Sequence, residues 1–372
     1  MSSEPSARSI TFLTWRDQKH PDGGGSEVYV ESVARELASR GHRVQVRCAR
    51  YPGSAAREVE DGVELVRNGG RLTVYPRALW WALTAGRRTD VIVDVINGLP
   101  FMARVARRKG LIALVHHVHR EQWHIIYPGW RGRLGWWIES RLTPAVYRHV
   151  VHVTVSESSR RDLVALGVEP DLIHVAHNGL DVRPVIHAGH DATRISVLAR
   201  LVPHKQVDHA FRVVGALHDA HPDLALDVIG DGWWRDQLVQ AAQDLGVEDR
   251  VVFHGRVSAD RRDELLASSA VMLLPSVKEG WGLAVMEAAA QGTPTIAYRS
   301  AGGVAESVVD GETGLLVDDV TEMVEATRHL LSNSRRRHAM SEMARHRATG
   351  FTWRATATTV ERVIAGLSDQ SP

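Results

Sequence analysis

Short, nearly continuous apolar runs alternate with segments of helical period along almost the whole chain. Strands apolar on both faces belong to parallel sheets covered by helices, so the pattern predicts a doubly wound α/β architecture. In the first half it predicts strands at 9–15, 43–48, 63–67, 91–96, 111–115 and 150–155, with helices at 26–40, 74–86, 100–109, 134–148 and 157–166. The stretch 178–193 has glycine and proline but no helical period, and it reads as a linker. A second series follows, with strands at 195–198, 225–229, 251–254, 271–274, 295–297 and 314–317. The chain then reads as helical from 319 to 345, and a last helix follows Phe351-Thr352-Trp353. Two Rossmann-like domains are therefore expected, 1–182 and 183–351, with the final helix, 352–372, returning to the first. Sheets of this kind bind ligands outside the carboxyl ends of their strands, which directs attention to a cleft between the two.

Length and composition agree with this reading. At about 150 residues per domain, 372 residues make two domains. Apolar residues are 44% and charged residues 24%, which excludes disordered and collagen-like chains. The single cysteine, Cys48, can form neither an internal disulfide nor a cysteine-based zinc cluster, which fits a reducing compartment. No signal-peptide pattern opens the chain, and no apolar run approaches the roughly 18 residues of a spanning helix. The expectation is a cytoplasmic protein. Its net charge of +1 hides an asymmetry: residues 1–180 carry 25 Lys and Arg against 18 Asp and Glu, the remainder 20 against 26. Domains that face different partners are charged in this way.

Candidate chemistry lies at strand ends. In Lys278-Glu279-Gly280-Trp281-Gly282-Leu283-Ala284-Val285-Met286-Glu287, a buried strand runs through a two-glycine loop into a helix starting near Leu283. Amides at Gly280, Gly282 and Leu283 would form an anion site without a Cβ at the glycines to block a ligand. Glu279 and Glu287 flank those amides and could each grip a sugar diol, although either alone also fits a solvated helix end. Arg200 closes the first strand of the second domain and Lys205 is placed at the start of the next helix. A departing diphosphate needs such a fork-like guanidinium and point-charge ammonium; a structural ion pair for Arg200 and a solvated Lys205 are the plainer alternative.

Weaker signals surround these. Gly23-Gly24-Gly25-Ser26 follows the first strand but matches neither common phosphate-loop fingerprint, so a nicotinamide cofactor is not indicated. Gly230-Asp231-Gly232 is similar. His116 would be the first residue beyond its strand, a site-facing position, within the run His116-His117-Val118-His119. The spacing is not that of a zinc site, and a surface histidine cluster is the simpler reading. The Trp-rich, arginine-rich segment 130–148 lies in a window, 101–150, with nine basic against two acidic residues. It could rest on an anionic membrane surface or hold a lipid-linked acceptor, or it could pack on the sheet with arginines outward. Nothing specifies a base-stacking groove, so no nucleic acid is expected.

Together these strings resemble family 4 glycosyltransferases of the GT-B type over nearly the whole chain. Glu279 and Glu287 match the family's E-x7-E element, Arg200 and Lys205 its diphosphate clamp, Gly24 and Gly25 its glycine loop, and His116 its post-strand histidine. The strings Asn178-Gly179-Leu180-Asp181 and Gly302-Gly303-Val304-Ala305-Glu306 and the Phe-Thr-Trp helix also match. The resemblance implies a retaining, metal-independent transfer of a hexose from a UDP- or GDP-linked donor to a hydroxyl acceptor, small or lipid-linked, with no cofactor and no metal. It implies that Glu287 holds the donor ribose and Glu279 the transferred sugar. Amides near Gly282 and Leu283 would meet the sugar or phosphates, Gly25 would approach the donor and acceptor closely, and His116 would lie near the reacting carbon. Two departures stand out. Gln206 replaces a frequent glycine after the clamp lysine, which could alter the start of the helix, and Trp281 replaces a common phenylalanine, which could narrow the donor pocket.

Other readings stay open on the residues alone. A non-catalytic two-lobed sugar-binding protein, or a sugar-nucleotide epimerase on the same fold, would use part of this set. A glycosidase would use two carboxylates without a cationic clamp.

Overall fold

A computed structural model describes residues 7–186 and 191–367. They divide into two units, one running up to Gly179 and resuming at Thr352, the other spanning Leu180–Phe351.

The first unit holds an 8-stranded sheet built from β1 (Ser9–Leu13), β2 (Arg43–Cys48), β3 (Arg57–Glu60), β4 (Val63–Arg67), β5 (Val91–Val95), β6 (Leu111–Val115), β7 (Val151–Thr154) and β8 (Ile173–Val175). The order is β3-β4-β2-β1-β5-β6-β7-β8, and the pairing is parallel except between β3 and β4. The central strands are apolar on both faces because helices cover both: Ile10, Phe12, Val93 and Ile112 are all buried. Asp94, inside β5, is a buried carboxylate among them. Its carboxylate accepts the amides of Phe101 (3.0 Å) and Ala103 (3.1 Å) and the Tyr147 hydroxyl, and burial pushes its carboxyl above the usual range.

Several local expectations change here. Strand β3 is an exposed antiparallel edge with the polar sequence Arg-Glu-Val-Glu, which carries no apolar signal. The predicted helix at 100–109 shrinks to Ala103–Ala106, and an unpredicted one forms at Arg120–Ile126. The basic segment is helical from Trp130 to Tyr147, with a widened π turn at Ile138–Leu142. The last helix, Trp353–Gly366, starts at Thr352, whose side chain accepts the Ala355 amide. It packs on helix Gly25–Ser39: the Trp353 ring meets Tyr29 edge-on at 5.9 Å, and Glu361 bonds Arg40 (2.7 Å) and His42 (3.0 Å).

The second unit holds a 6-stranded sheet of β9 (Asp191–Leu198), β10 (Ala225–Ile229), β11 (Val251–Gly255), β12 (Ser269–Leu274), β13 (Thr295–Tyr298) and β14 (Gly314–Val317). Its order is β11-β10-β9-β12-β13-β14, parallel throughout. Chain progression reverses between β9 and β12, so the crevice beyond their carboxyl ends is the topological switch point. The stretch read as a linker is shorter than 178–193. Arg183 bonds Asp260 and Asp263, the Ile186 amide bonds the Gln291 side chain at 3.0 Å, and β9 begins at Asp191 rather than at 195; residues 187–190 of that stretch lie outside the described residues. Among the described residues no helix is long and apolar enough to cross a membrane.

Candidate functional site

The site grows from the two loops at the β9/β12 switch point. Beyond β9, the Ala199 amide bonds Ile229 O and the Leu201 amide bonds Asp231 O, both at 3.0 Å. This approach requires Gly230 and Gly232: a Cβ at either would lie 2.0 Å from Ala199 O or 2.2 Å from Leu201 O. The Gly-Asp-Gly string thus fixes the backbone on both sides of Arg200. Lys205 does not open a helix, as the sequence suggested; it closes a short 3-10 turn, Pro203–Lys205, and the helix begins only at Asp208. Gln206 between them is left-handed at φ 45, a conformation unfavourable for any side chain with a Cβ.

Beyond β12, the Val277 amide bonds His204 O at 2.9 Å and ties the two loops together. The Lys205 ammonium then reaches the Glu279 carboxylate at 2.5 Å, with both side chains largely buried. Glu279 is held by its backbone, its amide on Ala301 O (2.9 Å) and its carbonyl under the Gly303 amide (3.1 Å). A Cβ on Gly303 would lie 1.9 Å from Gly280 O, so the Gly302-Gly303 turn is packed directly against the loop. Gly282, left-handed at φ 88, caps helix Leu283–Ala290, which has neither a side-chain cap nor an acidic residue in its first turn. The unpaired amides and dipole of that terminus are therefore uncompensated by the helix's own side chains. Trp281 sits inside this loop. Its ring is buried 5.2 Å from that of Phe351.

Glu287, one turn into that helix, carries a network the sequence did not disclose. Arg262 bonds Glu287 at 2.5 Å and Asp263 at 2.8 Å, and Asp263 is shared with Arg183. Burial pushes the Glu287 carboxyl up, Arg262 pulls it down, and Asp263 and Asp181 add to the rise. Glu287 and Arg262 are 25 residues apart, so no local spacing could reveal the pair.

The remaining candidates belong to the first unit. Gly24 is the extended N-cap of helix Gly25–Ser39, and its amide is taken by Glu27 at 2.7 Å. Glu27 is itself buried against Arg16 at 3.1 Å. His116 is buried edge-on to Tyr29 at 5.1 Å, and its Nε2 has no partner among the described residues. Desolvation pushes its ring down to about 4, so it is neutral near pH 7. Its neighbours make a different structure. The His119 ring, its amide and the Trp123 indole all converge on buried Glu139, at 2.9, 3.1 and 2.7 Å, while His117 bonds Gln122. Among the described residues no three His, Cys, Asp or Glu are grouped to hold a metal. On the basic helix Trp130, Leu134 and Trp137, at i, i+4 and i+7, are 63%, 46% and 54% exposed.

Comparison with known proteins agrees with this layout. The profile described as Glycosyltransferase Family 4 matches residues 23–183, and that described as Glycosyl transferases group 1 matches 182–347. The chain is 31% identical over 344 residues to a D-inositol 3-phosphate glycosyltransferase of Acidothermus cellulolyticus, covering 80% of this chain and 75% of that one. It is 28% identical over 392 residues to a GDP-mannose-dependent alpha-(1-6)-phosphatidylinositol monomannoside mannosyltransferase of Mycolicibacterium smegmatis, covering 93% and 96%. Among solved structures, a sucrose-phosphate synthase from Thermosynechococcus elongatus superimposes with a TM-score of 0.84 at 18% identity, over 98% of this chain and 100% of that one. The glycosyltransferase WaaG of lipopolysaccharide biosynthesis does so at 0.76 and 19%, over 96% and 100%.

Proposed function

Since the chain belongs to glycosyltransferase family 4 and has the GT-B fold, we propose that it moves a hexose from a UDP- or GDP-linked donor to a hydroxyl acceptor with retention and without a metal. The observation that carries this reading is the Lys205–Glu279 pair beside the uncapped terminus of helix Leu283–Ala290, at the switch point of the second unit. As the C1–O bond loosens, negative charge grows on the diphosphate and positive charge on the sugar ring. Arg200, Lys205 and the amides near Gly282 and Leu283 stabilise the first; Glu279 faces the second; Glu287 accepts from the donor ribose. These groups are fixed before the reaction, which is what makes them effective. The acceptor hydroxyl attacks from the leaving-group face and passes its proton to a phosphate oxygen. His116, neutral and with an unsatisfied ring nitrogen, suits a hydrogen bond to the transferred sugar, and Gly24 and Gly25 open the approach to it.

Both donor bases are to be tested: the Mycolicibacterium relative is named for GDP-mannose, and the Anabaena structural neighbour HepE is solved with UDP-glucose. Thermal shift against UDP- and GDP-linked hexoses tests the reading, since a donor at 100 times its Kd adds about 2.7 kcal/mol. Anomer analysis of the product tests retention, and turnover in EDTA tests metal independence. If no nucleotide sugar stabilises the protein, the reading fails.

For a lipid-linked acceptor the motivating feature is the stripe Trp130, Leu134 and Trp137 beside Arg131, Arg133 and Arg141, all exposed. Co-sedimentation with anionic vesicles tests it, and recovery only in the supernatant rejects it.

A further inference from the structure

Lys205 and Glu279 face each other in the second unit, but elements 74 residues apart in the chain carry them. Lys205 leads through Gln206 into helix Asp208–Leu217. Glu279 rests on the turn after β13: its amide bonds Ala301 O at 2.9 Å, and the Ala301 amide bonds Tyr298 O at 3.1 Å. Tyr298 is the last residue of β13 and is buried. Its hydroxyl lies 2.6 Å from Nδ1 of His209, in the first turn of helix Asp208–Leu217. The His209 amide in turn bonds Gln206 O at 2.9 Å. One residue therefore grips both arms, the Lys205 turn by its backbone and the turn after β13 by its side chain.

The rings of His209 and Tyr298 also pack edge-on, 5.8 Å between centroids, so contact as well as hydrogen bonding fixes the pair. Desolvation pushes the His209 ring below its ordinary value, with Asp208 opposing and Arg212 adding to the fall. It pushes the Tyr298 phenol up to about 12. Near pH 7 the ring is neutral and the phenol keeps its proton. Nε2 of His209 lies 4.0 Å from the Asp208 carboxylate, which favours the proton on that nitrogen and leaves Nδ1 to accept the Tyr298 hydroxyl. The bond between the Val277 amide and His204 O ties the two arms at one point only. A second tie fixes their mutual orientation. We propose that the hydrogen bond between His209 and Tyr298 is a strut that sets the Lys205 turn against the Glu279 loop, which makes both of them positioning residues for transfer. This rests on the transferase reading above. The strut acts through the backbone at Gln206 and Ala301, and a misplacement of about 1 Å in a catalytic group can cost about 10²-fold in rate.

Nucleotide release from GDP-mannose or UDP-glucose tests this on the full chain, in the wild type, Tyr298→Phe, His209→Leu, His209→Asn and the double variant Tyr298→Phe/His209→Leu. Tyr298→Phe and His209→Leu are each expected to lower kcat by about tenfold or more, with the donor KM within about twofold because Glu287 is untouched. Both remove the same bond, so the double variant should be no slower than either. The Asn side chain can place an acceptor where Nδ1 lies, so His209→Asn should recover most of the turnover. Amide hydrogen exchange forms a second arm that needs no donor: residues 204–206 and 299–303 should exchange about tenfold faster or more in Tyr298→Phe. The proposal is overturned by wild-type turnover in Tyr298→Phe, by losses that multiply in the double variant, by a His209→Asn as slow as His209→Leu, or by unchanged exchange. Tyr298→Phe removes a single oxygen, so it decides the matter even if His209→Leu does not fold. If no nucleotide sugar stabilises the wild type while exchange still quickens in Tyr298→Phe, the tie between the turns stands and the transferase reading falls.

Discussion

The guanidinium of Arg262 lies 2.5 Å from the carboxylate of Glu287, and no other cation is bonded to that carboxylate among the described residues. Burial raises the Glu287 carboxyl, and Arg262 is the largest influence opposing the rise. An ionised carboxylate can accept two ribose hydroxyls, whereas a protonated one has given up part of that capacity. Donor affinity should therefore fall as pH falls through this group's titration. In Arg262→Gln the fall should begin at higher pH, and Arg262→Lys should move it part of the way back. Donor Kd measured from pH 5 to 8 checks this, and superimposable profiles would show that Arg262 does not govern Glu287.

Arg200 and Lys205 are expected to act on the developing charge rather than on folding. Loss of one preorganised donor costs about 10²- to 10³-fold in turnover, so Arg200→Ala and Lys205→Ala should each lower kcat by that order with the melting temperature near wild type. Lys205→Ala also leaves Glu279 without its 2.5 Å partner. Normal transfer by either variant would contradict the clamp.

What the sequence disclosed follows from how far each signal reaches. Strands β2, β4, β6, β10 and β14 could be placed to the residue because Val-, Leu- and Ile-rich runs, continuous in β6 and β14 and interrupted by polar residues in β2, β4 and β10, stop at polar or glycine residues. The edge strand β3 was invisible because an exposed edge needs no apolar residues. At the site, Glu279, Gly282, Leu283 and Glu287 were legible as one string because a strand, a loop and a helix must follow one another to make it. Lys205 was legible as to residue but not as to setting, since a 3-10 turn of three residues has no period to read. Arg262, Asp263 and Arg183 reach Glu287 or one another only through tertiary folding, so nothing in their neighbourhood marked them.

Gly303 is where packing and binding meet. Its backbone torsion suits any residue, but a Cβ would lie 1.9 Å from Gly280 O and 3.0 Å from Trp281 Cα, neither of which can move without displacing the Glu279 loop. Gly303→Ala should raise the donor KM at least tenfold, while Gly350→Ala, whose Cβ meets only Arg347 O at 3.4 Å, should leave it unchanged. Steady-state kinetics on the two variants makes the comparison.

Gln206 stores strain in the clamp turn. A left-handed L-residue costs about 1–2 kcal/mol, and glycine removes that cost while adding about 0.5–1 kcal/mol of unfolded-chain entropy. Gln206→Gly should therefore be neutral to about 1.5 kcal/mol more stable in urea unfolding. A loss of stability would mean that the side chain makes contacts that outweigh its backbone strain.

Acid should weaken the first unit through two buried rings. His116 and His152 are both pushed by desolvation from the ordinary 6.5 down to about 4, in His152 against the opposing pull of the Val150 carbonyl, which its Nδ1 meets at 2.7 Å. A histidine depressed in the folded state binds protons more readily when unfolded. Its contribution is therefore present above pH 6.5 and is lost as pH falls from 6.5 towards 4. From pH 7 to 5 this amounts to about 2 kcal/mol per ring. In His152→Gln, which cannot titrate, the drop between those two pH values should be smaller than in the wild type by about that amount. Urea unfolding followed at both pH values measures the difference, and an equal drop in the two proteins would mean that the His152 ring is solvated or already charged in the native state.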